Sequence, residues 1–140
     1  MKKALIVFGG WPGHEPEKCN EILSKFLNSE GYEVRSENST EAFAEDYVHE
    51  MDLIIPIVTM AFHHSPKGEI KKNEVNNLIK AVVNGCGLAG HHGGMCDAFR
   101  QSIDWQFLTG GQWVSHPNGI HDYKVNITKR NDPIMDGIED

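Results

Sequence analysis

Short apolar runs alternate with longer amphipathic stretches along this chain, and that alternation sets the expected architecture. Residues 4–8, Ala-Leu-Ile-Val-Phe, carry no polar interruption and predict a strand buried on both faces. A helix is predicted over 16–28. Pro16 suits a first turn, Glu15 and Glu17 favour the positive end of the helix, and Ile22, Leu23, Phe26 and Leu27 supply one apolar stripe. Gly31 then provides a stop. Residues 32–37 alternate in polarity and predict a second strand near a sheet edge. A short helix and loop are expected over 38–50 and a third strand over 51–58, where Pro56 cannot donate to a ladder. A helix follows over 68–83, with Val75, Leu78, Ile79, Val82 and Val83 on one face. The fourth strand is placed at 85–89 and a further helix from about 95 to 108. Two more strand-like segments lie at 112–115 and 123–128.

Strand and helix thus alternate four times, the pattern of an α/β three-layer sandwich whose mostly parallel sheet carries helices on both faces. The 140 residues suit a single domain, 1–140, with one core. A formal charge of −7 argues against nucleic acid as partner, because phosphate neutralisation needs clustered cations. The small basic group of Lys67, Lys71 and Lys72 decorates a helix start instead. The apolar runs at 4–8 and 53–58 are too short for an export signal or a membrane span, so no membrane partner is expected. Three cysteines, Cys19, Cys86 and Cys96, are odd in number and lack metal-type spacing, which fits free thiols in the cytoplasm.

Candidate chemistry comes from the eight histidines. His14 follows the first strand in Gly9-Gly10-Trp11-Pro12-Gly13-His14, and His63 and His64 follow the third. His91 and His92 follow the fourth in Gly90-His91-His92-Gly93-Gly94, and His116 stands in Trp113-Val114-Ser115-His116-Pro117. In a parallel sheet the first three segments converge on the carboxyl rim, where such folds bind ligands. Converging imidazoles suit acid–base chemistry, polar-ligand binding or a metal. Taken one at a time, His14 and His116 read as structural or surface residues, and Trp11 and Trp113 as packing residues. The turn at 90–94 is the sharpest signal. Gly-x-residue-x-Gly after a buried strand and before a helix describes a nucleophile elbow, here with His92 at its apex.

Class I glutamine amidotransferases carry Gly-x-Cys-x-Gly at this elbow, and the strand–helix order here resembles theirs. Because His92 stands where their cysteine would, and Cys96 lies a helical turn later, glutaminase activity is not expected. The stretches 88–94 (Leu-Ala-Gly-His-His-Gly-Gly), 97–100 (Asp-Ala-Phe-Arg) and 108–117 (Leu-Thr-Gly-Gly-Gln-Trp-Val-Ser-His-Pro), with His14 and the Asn-Asp-Pro-Ile-Met-Asp-Gly-Ile segment at 131–138, resemble the ThuA-like (trehalose-utilisation) family. That resemblance covers nearly the whole chain and implies a flavodoxin-like, class I glutamine amidotransferase-like fold. It also implies a role in disaccharide or keto-sugar utilisation. Family members usually run some tens of residues longer, so the expectation is either that the sequence is cut short or that a final piece of the sheet is missing.

On this reading His92 and His14 are the candidate catalytic groups. The candidate substrate-binding residues are His63, His64, His91, Asp97, Arg100, Trp113 and His116. Asp97 and Arg100, at i and i+3, are placed to pair and orient the site or to form an ordinary surface ion pair. Two alternatives stand beside the enzyme: a non-catalytic sugar- or partner-binding module, and a metal-dependent enzyme with histidine-ligated zinc or a similar divalent ion. There is no nucleotide-binding motif. The partner is a small sugar or sugar derivative, and a homo-oligomer is compatible with the sequence.

Overall fold

Among the described residues, four strands pair into one sheet. The computed structural model describes residues 1–61, 70–128 and 131–138. Strands β1 (Lys2–Gly10), β2 (Tyr32–Glu37), β3 (Leu53–Thr59) and β4 (Gly87–Leu88) are all parallel in the order β2-β1-β3-β4. Helix α1 (Pro16–Ser29) links β1 to β2, and two short 3-10 segments, Thr40–Ala44 and Asp46–Glu50, link β2 to β3. Helix α2 (Lys72–Val83) precedes β4, which is followed by α3 (His92–Cys96) and α4 (Ile103–Thr109).

The central strands are apolar on both faces because both faces are covered. Ala4, Ile6, Ile55 and Ile57 pack beneath α1 with Leu23 and Leu27. Leu5, Val7, Ile54 and Val58 pack on the opposite side against Val75 and Leu78 of α2, and against Phe43, Phe99 and Trp105. Burying each such side chain contributes about 1.5–3 kcal/mol. Trp105 fills the far end of this layer: it meets Phe99 edge-on at 4.9 Å and donates its Nε1–H to the Met95 carbonyl at 3.0 Å. The result is the expected three-layer, flavodoxin-like arrangement, and β2 lies at the sheet edge as its alternating pattern predicts. Pro56 is accommodated inside β3. Ile54 gives its carbonyl to Ala89 on the β4 side, so Pro56, two residues on, faces that side beyond the end of β4 at Leu88, where no ladder bond is required of it.

Several expectations are corrected. Ile22 and Phe26 do not share a buried stripe with Leu23 and Leu27; they are 67% and 57% exposed, because the sheet covers only the narrower arc of Pro16, Cys19, Leu23 and Leu27. Val83 is likewise exposed at the end of α2. That helix begins at Lys72, where the Lys71 N–H donates to Glu74 in a capping arrangement; Gly68 and Glu69 lie outside the described residues. The helix expected over 95–108 is two helices, because Ser102 caps a new start by accepting the Trp105 N–H. Segments 112–115 and 123–128 are not strands. Tyr123 and Val125 stay exposed, and the two-residue β4 offers no edge long enough to pair with them. Among the described residues no helix is long and apolar enough to cross a membrane.

Candidate functional site

The sheet order reverses at β1: β2 lies to one side and β3 to the other, so the carboxyl ends of β1 and β3 bound the crevice that open α/β sheets use for ligands. Three chain segments are drawn together there. Beyond β1, the Trp11 N–H donates to the Thr59 carbonyl at 2.8 Å, and the 3-10 turn Pro12–His14 folds His14 back over the end of β3. His14 Nδ1 then lies 2.9 Å from Thr59 Oγ1. Beyond β3, Met60 takes a positive φ of 52° and donates its N–H to the Asp97 carbonyl at 3.0 Å.

Beyond β4, the elbow is strained at its apex: His92 has a φ of 50°. The two glycines after it are buried and leave only tight space for a side chain. A Cβ on Gly94 would stand 3.2 Å from the Ile57 Cα; one on Gly93 would stand 3.0 Å from Thr59 Cγ2 and 3.3 Å from His14 Cε1. Small residues thus let α3 press onto β3, which brings the His92 ring to 4.9 Å from that of His14. Trp11 stands edge-on to His14 at 4.8 Å. Trp113, held by its N–H to the Cys96 carbonyl at 3.0 Å, lies 6.0 Å from His92 and 4.7 Å from His116. Five rings therefore run in a row: Trp11, His14, His92, Trp113, His116.

Of the predicted residues, His14, His92, Trp113 and His116 come together in that row. His91 caps α3 in an exposed position, and no ring contact joins it to the row among the described residues. Asp97 is buried and hydrogen-bonded by Arg100 Nε, and Arg100 is exposed, so the expected pair forms directly behind the elbow. His63 and His64 lie outside the described residues. Thr59 and Trp11 were not foreseen as site residues. A threonine closing an apolar strand carries no mark of its own, and Trp11 reads as packing until its neighbour is known. Cys96 ends α3, and its backbone, not its thiol, holds Trp113. Among the described residues no three His, Cys, Asp or Glu side chains gather so as to hold a metal ion.

Burial holds the His14 pKa below the usual 6.5, and repulsion from His92 adds to this; Asp97 opposes the shift, while His116 and His91 reinforce it. A folded-state pKa below the unfolded one means that the unfolded chain binds more protons in between. Stability contributed by neutral His14 is therefore present above about pH 6.5 and is lost as pH falls through that value towards the folded pKa. We expect the Tm of the wild type to drop more steeply than that of His14→Gln between about pH 6.5 and pH 5. Parallel curves would show that His14 is not held neutral.

Comparison with known proteins returns no match among curated proteins or solved structures. The family model described as ThuA, trehalose utilisation, matches residues 3–140. Elbow, glycine pair, Trp113 and His116 all fall within that match, and the chain belongs to the ThuA family.

Proposed function

We propose that this ThuA-family protein binds a sugar or keto-sugar at the carboxyl ends of β1 and β3 and moves a proton on it with the His14–His92 pair. The observation that carries this reading is the contact of the two imidazoles at 4.9 Å between two indoles, at the point where strand order reverses. Imidazoles near neutrality suit proton transfer to and from hydroxyl and carbonyl groups. Indole faces suit the C–H side of a sugar ring, leaving its hydroxyls for the imidazoles and His116. One imidazole takes the proton while the other hydrogen-bonds the oxygen on which charge develops. Asp97 and Arg100 support the elbow from behind.

The test is a panel of disaccharides and keto-sugars added to ¹⁵N-labelled protein. A ligand of this site shifts the His14 and His92 ring signals and the Trp11 and Trp113 indole N–H signals together, and is consumed on incubation. Shifts without consumption would favour the binding-module reading. A panel in which no sugar moves these four residues would overturn the sugar site.

A further inference from the structure

Thr59 reaches the imidazole pair from inside the sheet. It is the last residue of β3, is 3% exposed, and has its Oγ1 2.9 Å from His14 Nδ1. Its side chain has little freedom, since branching at Cβ restricts χ1. Its methyl group occupies space that Gly93 leaves open: a Cβ on residue 93 would lie 3.0 Å from it. We propose that Thr59 is a positioning residue whose hydroxyl donates to His14 Nδ1. It thereby holds the neutral ring as the Nε2–H tautomer, so that His14 is the hydrogen-bond donor of the pair and His92 the proton acceptor.

The direction of the bond follows from where the hydroxyl proton can go. A buried hydroxyl needs an acceptor, and leaving one without a partner is what folded proteins avoid. Among the described residues His14 Nδ1 is the acceptor within reach of Thr59 Oγ1. The carbonyl of Thr59 already takes the Trp11 N–H. With the bond reversed, Nδ1–H would donate to Oγ1, and the hydroxyl proton would find no acceptor among the described residues. Burial and the neighbouring imidazoles lower the His14 pKa from 6.5, so at neutral pH and above the ring carries one N–H, and with Nδ1 accepting that N–H must be Nε2–H.

A ring in this state donates to a ligand oxygen and cannot take a proton at Nε2. His92 is exposed, and among the described residues its ring makes no side-chain hydrogen bond. It is therefore the member of the pair able to accept. The proton leaves a ligand hydroxyl, or a carbon beside a carbonyl, for a His92 ring nitrogen, and the oxygen left negative receives the Nε2–H of His14. These roles rest on the proposed sugar site; the tautomer does not.

Long-range ¹H–¹⁵N correlation on the full chain reads the tautomer directly, with His14→Gln identifying the His14 signals. At a pH where the ring is neutral, the expected pattern is a protonated Nε2 and an unprotonated Nδ1. Thr59→Val, nearly isosteric but lacking the hydroxyl, should lose that single tautomer to a mixture, and Thr59→Ser should restore it. A wild-type ring protonated at Nδ1, or a tautomer unchanged in a folded Thr59→Val, would overturn the assignment. Should Thr59→Val not fold, the wild-type spectrum alone decides. An Nε2–H spectrum alongside a silent sugar panel would sink the sugar site and leave the positioning role standing. An Nδ1–H spectrum would sink the positioning role whatever the panel shows.

Discussion

Gly10→Ala should destabilise the fold by about 3 kcal/mol or more, lowering Tm by about 10 °C in a chain of this size. Gly10 has a φ of +80°, a conformation that costs an L residue of the order of 1 kcal/mol. The larger part of the penalty is steric. A Cβ there would stand 2.1 Å from the Thr59 carbonyl oxygen and 2.9 Å from both the Thr59 carbonyl carbon and its nitrogen. These are backbone atoms of a buried central strand, so no rotamer change relieves the overlap. The chain must instead move β1 and β3 apart where Gly10 pairs with Thr59, against the registered ladder from Ala4–Leu53 onward. That displacement would carry Trp11 off the Thr59 carbonyl and His14 off its hydroxyl, so the site should loosen along with the fold. Thermal unfolding followed by circular dichroism measures the first effect, and the His14 ring signals measure the second. A Tm within 2 °C of wild type would mean that the two strand ends do not approach this closely.

Gly10 also shows what the sequence made legible and what it did not. The runs that became β1, β2 and β3 could be read because fully buried or alternating apolar patterns leave few alternatives, and the span 32–37 coincides with β2. The convergence of His14 and His92 could be read as well, because parallel order places the ends of β1 and β4 on one rim and glycine turns mark sharp departures. The errors have a different origin. Segments 112–115 and 123–128 have strand-like alternation, yet a strand needs an edge to pair with, and that is a property of β4, not of the segments. The new start at α4 is marked by a single Ser102 hydroxyl, too small a signal to compete with helical periodicity across it. Thr59 was missed for a similar reason: its role exists only once Gly93, His14 and the end of β3 are packed together.

His92→Gly should separate function from stability: turnover of a sugar identified by the panel should fall about 10²–10⁴-fold, the loss typical for removing a general base, while the fold becomes no less stable. His92 holds a φ of 50°, which is costly for a residue with a Cβ and free for glycine, so the backbone is relieved by about 1–2 kcal/mol. The greater freedom of glycine in the unfolded chain offsets about 0.5–1 kcal/mol of that gain. Little packing is lost, because the His92 side chain is exposed and its neighbours His14 and Trp113 are anchored independently, by Thr59 and by the Cys96 carbonyl. The net expectation is a Tm equal to wild type or a few degrees higher. His92→Asn, whose side chain tolerates the left-handed region, should share the activity loss with a smaller change in stability. Such an opposition of strain and activity is what a residue kept for chemistry against its own backbone preference should show. A His92→Gly protein that turned over substrate within 10-fold of wild type would remove His92 from the chemistry. A marked fall in Tm would instead assign the elbow a structural role, with the His14–His92–Trp113 contacts as its purpose.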